Sequence, residues 1–141
     1  MEFELKGHRY QIGRLNAFNQ MNVARRLATA LIPLANLRKD ADKQPSDEEV
    51  ARAFVTLTSQ MPDELLTPAI TSLLSTIKRD VGGDRGWASI STPDGMLMYS
   101  DIDGLTDLNI LLIKALDANQ IIDFFVDHRS ASADQAVPEI G

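Results

Sequence analysis

The chain has 141 residues, 44% hydrophobic and 24% charged, with no cysteine. That is length for one domain with enough apolar surface to offset chain entropy, and it rules out disulfides and thiolate chemistry. The net charge of −6 is unevenly spread: Met1 to Arg38 holds six basic residues against Glu2 and Glu4, a net of +4, while Ser100 to Gly141 holds eight acidic residues against Lys114 and Arg129, a net of −6. Two readings of that asymmetry stand, a basic surface turned to a partner or solvated faces that neutralise one another within the fold.

Phe3 and Leu5 alternate with polar residues, Lys6-Gly7-His8 supplies a turn, and Tyr10 and Ile12 alternate again, which is a short hairpin. From about Asn16, a capping residue, Ala17, Met21, Ala24, Ala28, Leu31 and Ile32 recur at steps of three and four and predict an amphipathic helix. Leu27 and Leu34 widen its apolar stripe beyond what one neighbour covers, so the helix is either central to the core or covered on one face by a partner. Pro33 is expected to end or kink it near Leu31 or Ile32.

The polar run from Arg38 to Pro45 reads as an exposed loop. Ser46-Asp-Glu-Glu49 is a capping box that opens a helix with Val50, Phe54, Leu57 and Met61 inward. A further helix start at Pro62-Asp-Glu64 leads into Leu65, Leu66, Ala69, Ile70, Leu73, Leu74 and Ile77, running to Lys78-Arg79, with Val81-Gly82-Gly83 as the stop; Pro68 in its first turns could shift the start. Trp87 to Ser91 and Met96 to Tyr99 read as two short strands about the turn Thr92-Pro-Asp-Gly95, a hairpin or an ordered loop. Leu105 to Val126 is the most hydrophobic region, one long helix or two short ones meeting near Asp117-Ala-Asn119, and the tail from Ser130 lacks periodicity. The expected fold class is therefore α+β and mainly α-helical: an N-terminal β-hairpin, about four helices, and a second hairpin or ordered loop before the last helix. Residues 1–129 are expected to form a single domain, and 130–141 a disordered tail.

Chemistry-bearing patterns are weak. Asp101-Ile-Asp-Gly104 resembles the opening of a calcium loop but has Leu112 where the twelfth-position glutamate belongs. Gly82-Gly-Asp-Arg-Gly86 lacks the lysine and hydroxyl of a phosphate loop and reads as a linker. His8 and His128 lie at opposite ends, and neither Ser89 nor Ser91 has a base that the sequence nominates. The carboxylates of Glu48, Glu49, Asp63 and Glu64 are explained by helix starts. Arg25-Arg26 stands on an otherwise apolar helix, but adjacent positions point about 100° apart and cannot form one clamp. An acidic chain in which no aromatic set interleaves the basic residues is a poor nucleic-acid binder. Met1-Glu-Phe-Glu-Leu-Lys6 is not a signal-peptide start, and the stretches Leu27 to Leu34 and Ile110 to Leu116 are too short to span a bilayer. No enzyme, cofactor or metal site is expected.

The run from Phe3 to Leu27 resembles the start of tail assembly chaperones of phages and prophages with long tails, in which a short hairpin precedes an aromatic residue, a glutamine and an arginine-containing helix ending in leucine and proline. Phe18, Gln20, Val23, Arg25, Arg26, Leu27, Leu31 and Pro33 stand at the matching positions, and Asn119-Gln-Ile-Ile-Asp-Phe-Phe125 is similar to a later helix ending in paired aromatics. About the first 35 residues carry the resemblance well, and the remainder by layout. It implies a protein of the host bacterial cytoplasm that binds the tape measure protein, with the tail tube protein as a further candidate partner. Such a chaperone keeps tape measure helices soluble during tube assembly and is absent from the virion. The helix-binding groove is expected in the stripe Phe18 to Leu34 or in the face from Leu108 to Phe125, with Phe18, Met21, Arg25, Arg26, Leu27, Leu31, Leu112, Phe124 and Phe125 as partner-binding residues. The opposing reading is that both stripes pack on each other. A structural or connector component of a tail or head, or another small cytosolic protein-binding module, is the alternative, and homo-oligomerisation stays open.

Overall fold

A computed structural model describes residues 1–39, 45–102 and 104–126. Strands β1 (Glu2–Leu5) and β2 (His8–Ile12) form the expected hairpin, with Leu5 opposite His8 across a two-residue turn. Lys6 and Gly7 both take positive φ, 50° and 81°, the geometry whose twist matches that of the flanking strands. Helix α1 spans Ala17–Lys39, α2 Asp47–Thr58, α3 Asp63–Leu74 and α4 Leu105–Ala118; residues 121–126 form a last helical stretch, α5. Strands β3 (Ile77–Gly82) and β4 (Gly86–Ser89) complete a four-stranded antiparallel sheet in the order β1-β2-β3-β4. The fold class is α+β and mainly helical, as the sequence predicts.

Several local signals act as expected. Asn16 Oδ1 accepts from Asn19 N at 2.8 Å and caps α1. At α2, Ser46 Oγ accepts from Glu49 N and Glu49 Oε1 accepts from Ser46 N, at 3.1 and 3.2 Å, so both halves of the capping box close. Thr92-Pro-Asp-Gly95 is a turn, with Gly95 N donating to Thr92 O at 2.9 Å. A Cβ on Gly95 would lie 2.7 Å from Thr71 Oγ1, so the close approach to α3 requires glycine there.

Other expectations are corrected. α1 does not end at Pro33 but runs six residues past it, because Leu34 and Ala35 are buried and Arg38 forms a two-pronged ion pair with Asp117 of α4, one bond at 2.9 Å. Those contacts outweigh the one hydrogen bond that proline removes. Arg38 and Lys39 are thus helical, and residues 40–44 of the anticipated loop lie outside the described residues. α3 stops at Leu74, where the Ser75 and Thr76 hydroxyls donate back to Ser72 O and Leu73 O at 2.6 and 2.7 Å. Ile77 to Gly82, predicted helical up to Arg79, is instead a strand pairing with β2 and β4. The second hairpin is accordingly β3–β4, with Gly83–Arg85 as its turn, so the glycine-rich run is a hairpin connection and not a linker. Gly82, Gly83 and Gly86 all take positive φ. The first of the two strands predicted there, Trp87 to Ser91, is largely β4 and pairs with β3, while the second, Met96 to Tyr99, lies in an ordered loop tied back by a single bridge, Ser91 to Leu97.

The core gathers on α4, where Leu111, Leu112, Ile113, Ala115 and Leu116 are at most 2% exposed. A helix apolar on nearly all sides must be wrapped. α2 and α3 pack on it together with β2, and α1 packs on α2 and α3. Lys114 joins it to Asp47 at the start of α2, at 3.2 Å.

A candidate partner-binding groove

α4 ends where Asn119 closes its last turn, and Gln120 takes a φ of 58°, which redirects the chain into α5. The break predicted near Asp117-Ala-Asn119 is therefore real, and the two-helix alternative holds. Asn119 is 3% exposed and every polar atom of its side chain is engaged. Its Oδ1 accepts from Leu15 N at 2.7 Å and from Gln20 Nε2 at 3.1 Å; its Nδ2 donates to Ala115 O at 2.9 Å and Gly13 O at 3.3 Å. One side chain thereby fixes the exit of β2, the first turns of α1 and the end of α4 against each other.

Between α1 and α5 this leaves an open cleft of about 610 Å³. One wall is the face Ala17, Gln20, Met21, Ala24, Arg25 and Ala28, residues three and four apart, whose alanines leave space where larger side chains would fill it. The other wall is Ile121, Phe124 and Phe125, with Asn119, Gln120 and Arg14 at the end. Phe124 and Phe125 meet edge to face at 5.4 Å. Met21 is 50% exposed and Phe124 56%, so the lining presents apolar surface to solvent.

The residues predicted for partner binding divide. Met21, Arg25, Phe124 and Phe125 line the groove, and Phe18 is exposed on α1 just outside it. Leu27, Leu31 and Leu112 are at most 2% exposed and belong to the core; they support the walls and have no surface to offer a partner. Arg25 and Arg26 diverge as the helix geometry requires: Arg25 is exposed on the groove, bonded to Asn22 Oδ1 at 3.3 Å, and Arg26 is half-buried outside the lining. Both stripes therefore do part of each task, their inner halves packing and their outer halves framing the cleft. Sequence reasoning missed Arg14, Asn119 and Gln120, although the spacing of Ala17, Ala24 and Ala28 had marked one wall.

The oppositely charged ends also separate into roles. Lys6 pairs with Asp107 at 2.8 Å and Arg38 with Asp117, so part of the asymmetry is neutralised within the fold. Arg14 and Arg25 form no ion pair among the described residues and remain at the groove.

The densest cluster of titratable groups lies elsewhere. Arg79, 7% exposed, donates to Asp101 through two bonds of 2.7 and 2.6 Å, and its guanidinium covers the Tyr99 ring at 4.6 Å. His8 Nε2 is 2.9 Å from Asp101. The hydrogen bonds from Arg79 hold the Asp101 carboxyl down at about 2, while burial pushes the Tyr10 hydroxyl up. Asp101, the first acid of the calcium-like run, is thus committed to the sheet, and Asp103 lies outside the described residues, as does His128. Among the described residues no group of acids and histidines could hold a metal ion, and no helix is long and apolar enough to cross a membrane.

Fold and site together define a small α+β protein that displays an apolar, helix-walled groove with a cationic margin. Residues 6–130 match the family model described as phage tail assembly chaperone protein, and the chain belongs to that family. No curated protein and no solved structure matches it.

Proposed function

We propose that the protein is a non-catalytic chaperone of the bacterial cytoplasm that binds helical segments of the tape measure protein in the α1–α5 groove, keeps them soluble while the tail tube assembles, and is not retained in the virion. The family role in tail assembly supports the setting. The observation that carries the site is the exposure of Met21 and Phe124 on an apolar cleft wide enough for side chains of an incoming helix.

The energetics suit a transient partner. Covering an apolar side chain of this size contributes about 1.5–3 kcal/mol, and a few such contacts are largely offset by the about 4–15 kcal/mol lost on association. Binding of this size is reversible, as a chaperone displaced by tube subunits requires. In this reading residues 1–129 act as one domain and need no cofactor; the tail tube protein is the second candidate partner.

The test is co-expression of the tape measure protein with Met21→Asp and Ala24→Asp variants, each checked for its fold by circular dichroism. Loss of co-purification is expected in both. Undiminished capture by a folded double variant would remove the groove from the reading, and finding the chain in purified particles by mass spectrometry would assign it to the structural alternative.

A further inference from the structure

The groove does not end at Arg14. That residue also lines a neighbouring depression of about 260 Å³ that reaches past the end of β2 and the start of β3 to Lys78, with Gln11 and Ser75 also lining it. Across the two depressions the ionised side chains are Arg14, Arg25 and Lys78, and among the described residues neither lining contains a carboxylate. This is a biased selection, because the chain as a whole has 20 acidic residues against 14 basic ones. The nearest acidic position in sequence, Asp123, is exposed outside the lining, and its field acts on Arg38. The three cations are exposed, and none is in an ion pair among the described residues.

Resting on the groove reading above, we infer that the groove selects its occupant by charge: it accepts amphipathic helices of the tape measure protein whose apolar stripe is bordered by carboxylates, and discriminates against those bordered by lysine or arginine. Met21, Ala24 and Phe125 meet the stripe. Arg14 precedes α1, and Arg25 lies two turns into it, about 12 Å along the axis from Ala17, so the two cations stand at separate points along the groove. Such margin charges set partner choice and encounter rate more than affinity, and they are screened by salt.

Two designed helical peptides with the same leucine and alanine stripe, one bordered by glutamate and the other by lysine, provide the probe. Their binding to the full-length protein is followed by fluorescence anisotropy. The glutamate peptide is expected to bind about tenfold more tightly at about 0.05 M salt, the preference narrowing to about two- to threefold at about 0.5 M. Arg14→Glu/Arg25→Glu is expected to reverse the preference, and Arg14→Gln/Arg25→Gln to erase it, both with unchanged circular dichroism. Equal binding of the two peptides, abolished by Met21→Asp, would leave the groove reading intact and overturn the charge selection. A preference insensitive to salt or to both arginine variants would overturn it as well. Binding of neither peptide would overturn both readings.

Discussion

Replacing Asn119 with alanine should loosen the groove before it damages anything else. The substitution removes four hydrogen bonds, but their losses are unequal. Ala115 O still accepts from the Asn119 backbone N–H at 3.2 Å, Gly13 is exposed, and the Gln20 amide, half-buried, can turn to water. The Leu15 N–H, half-buried and bonded to Oδ1 at 2.7 Å, is left without its acceptor. An orphaned backbone donor costs about 1–3 kcal/mol, so a destabilisation of about 2 kcal/mol is expected. For a chain of this size that corresponds to a fall of roughly 5–8 °C in Tm. Urea titration should show the midpoint moving with the slope unchanged, since the surface exposed on unfolding stays the same. Asn109→Ala is the internal control: Asn109 is also buried, at 6% exposure, but among the described residues its side chain bonds only to Leu105 O within its own helix, at 2.8 Å. Its loss should cost under about 1 kcal/mol, part of it returned by the helix preference of alanine. If the two variants are equally stable, Asn119 is not the knot that joins β2, α1 and α4, and the reasoning about the end of the groove fails.

Two further outcomes are expected. Leu27→Ala should cost about 2–5 kcal/mol as a core cavity, whereas Met21→Ala, on the exposed wall, should stay within about 0.5 kcal/mol of the parent in the same urea titration. For Asp101, the folded carboxyl titrates at about 2, below its unfolded value, so its pairing with Arg79 supports the fold above pH 4 and is lost as pH falls from about 4 through about 2. A carboxyl NMR titration should place the midpoint near 2, and Asp101→Asn should flatten the stability profile of the parent across that window.

The sequence was most legible where structure is local. The turn at Lys6-Gly7, the caps at Asn16 and Ser46 and the break at Asn119 all depend on residues within a few positions of each other, and each lies where those residues indicate. Failures arose where a distant partner decides. Leu73, Leu74 and Ile77 satisfy a helical period, yet Ile77 pairs with Ile12 and Arg79 with Tyr10, more than sixty residues back. No periodicity carries that information. Pro33 is a local stop signal overridden by burial of Leu34 and by Asp117, again remote in sequence. The groove was half legible for the same reason: Met21, Arg25, Phe124 and Phe125 came from the two stripes, but which leucines face inward depends on how α1 sits on α2 and α3. Arg14 lies outside every periodic element, and only the cleft reveals its place.

Because one groove wall is drawn from residues 14–28 and the other from 119–125, the groove cannot form in a chain that stops short of the second wall. Under the proposed function, a nascent or half-folded copy would have nothing to hold a client with, and competence to bind would report that both walls have folded. The dependence also runs the other way. Under the same proposal, an occupant lodged between the walls would bridge two segments remote in sequence, and the client would raise the stability of its own chaperone by mass action. Departure of the client would then return the protein to its less stable form, and its lifetime in the cell would follow the supply of unassembled tail.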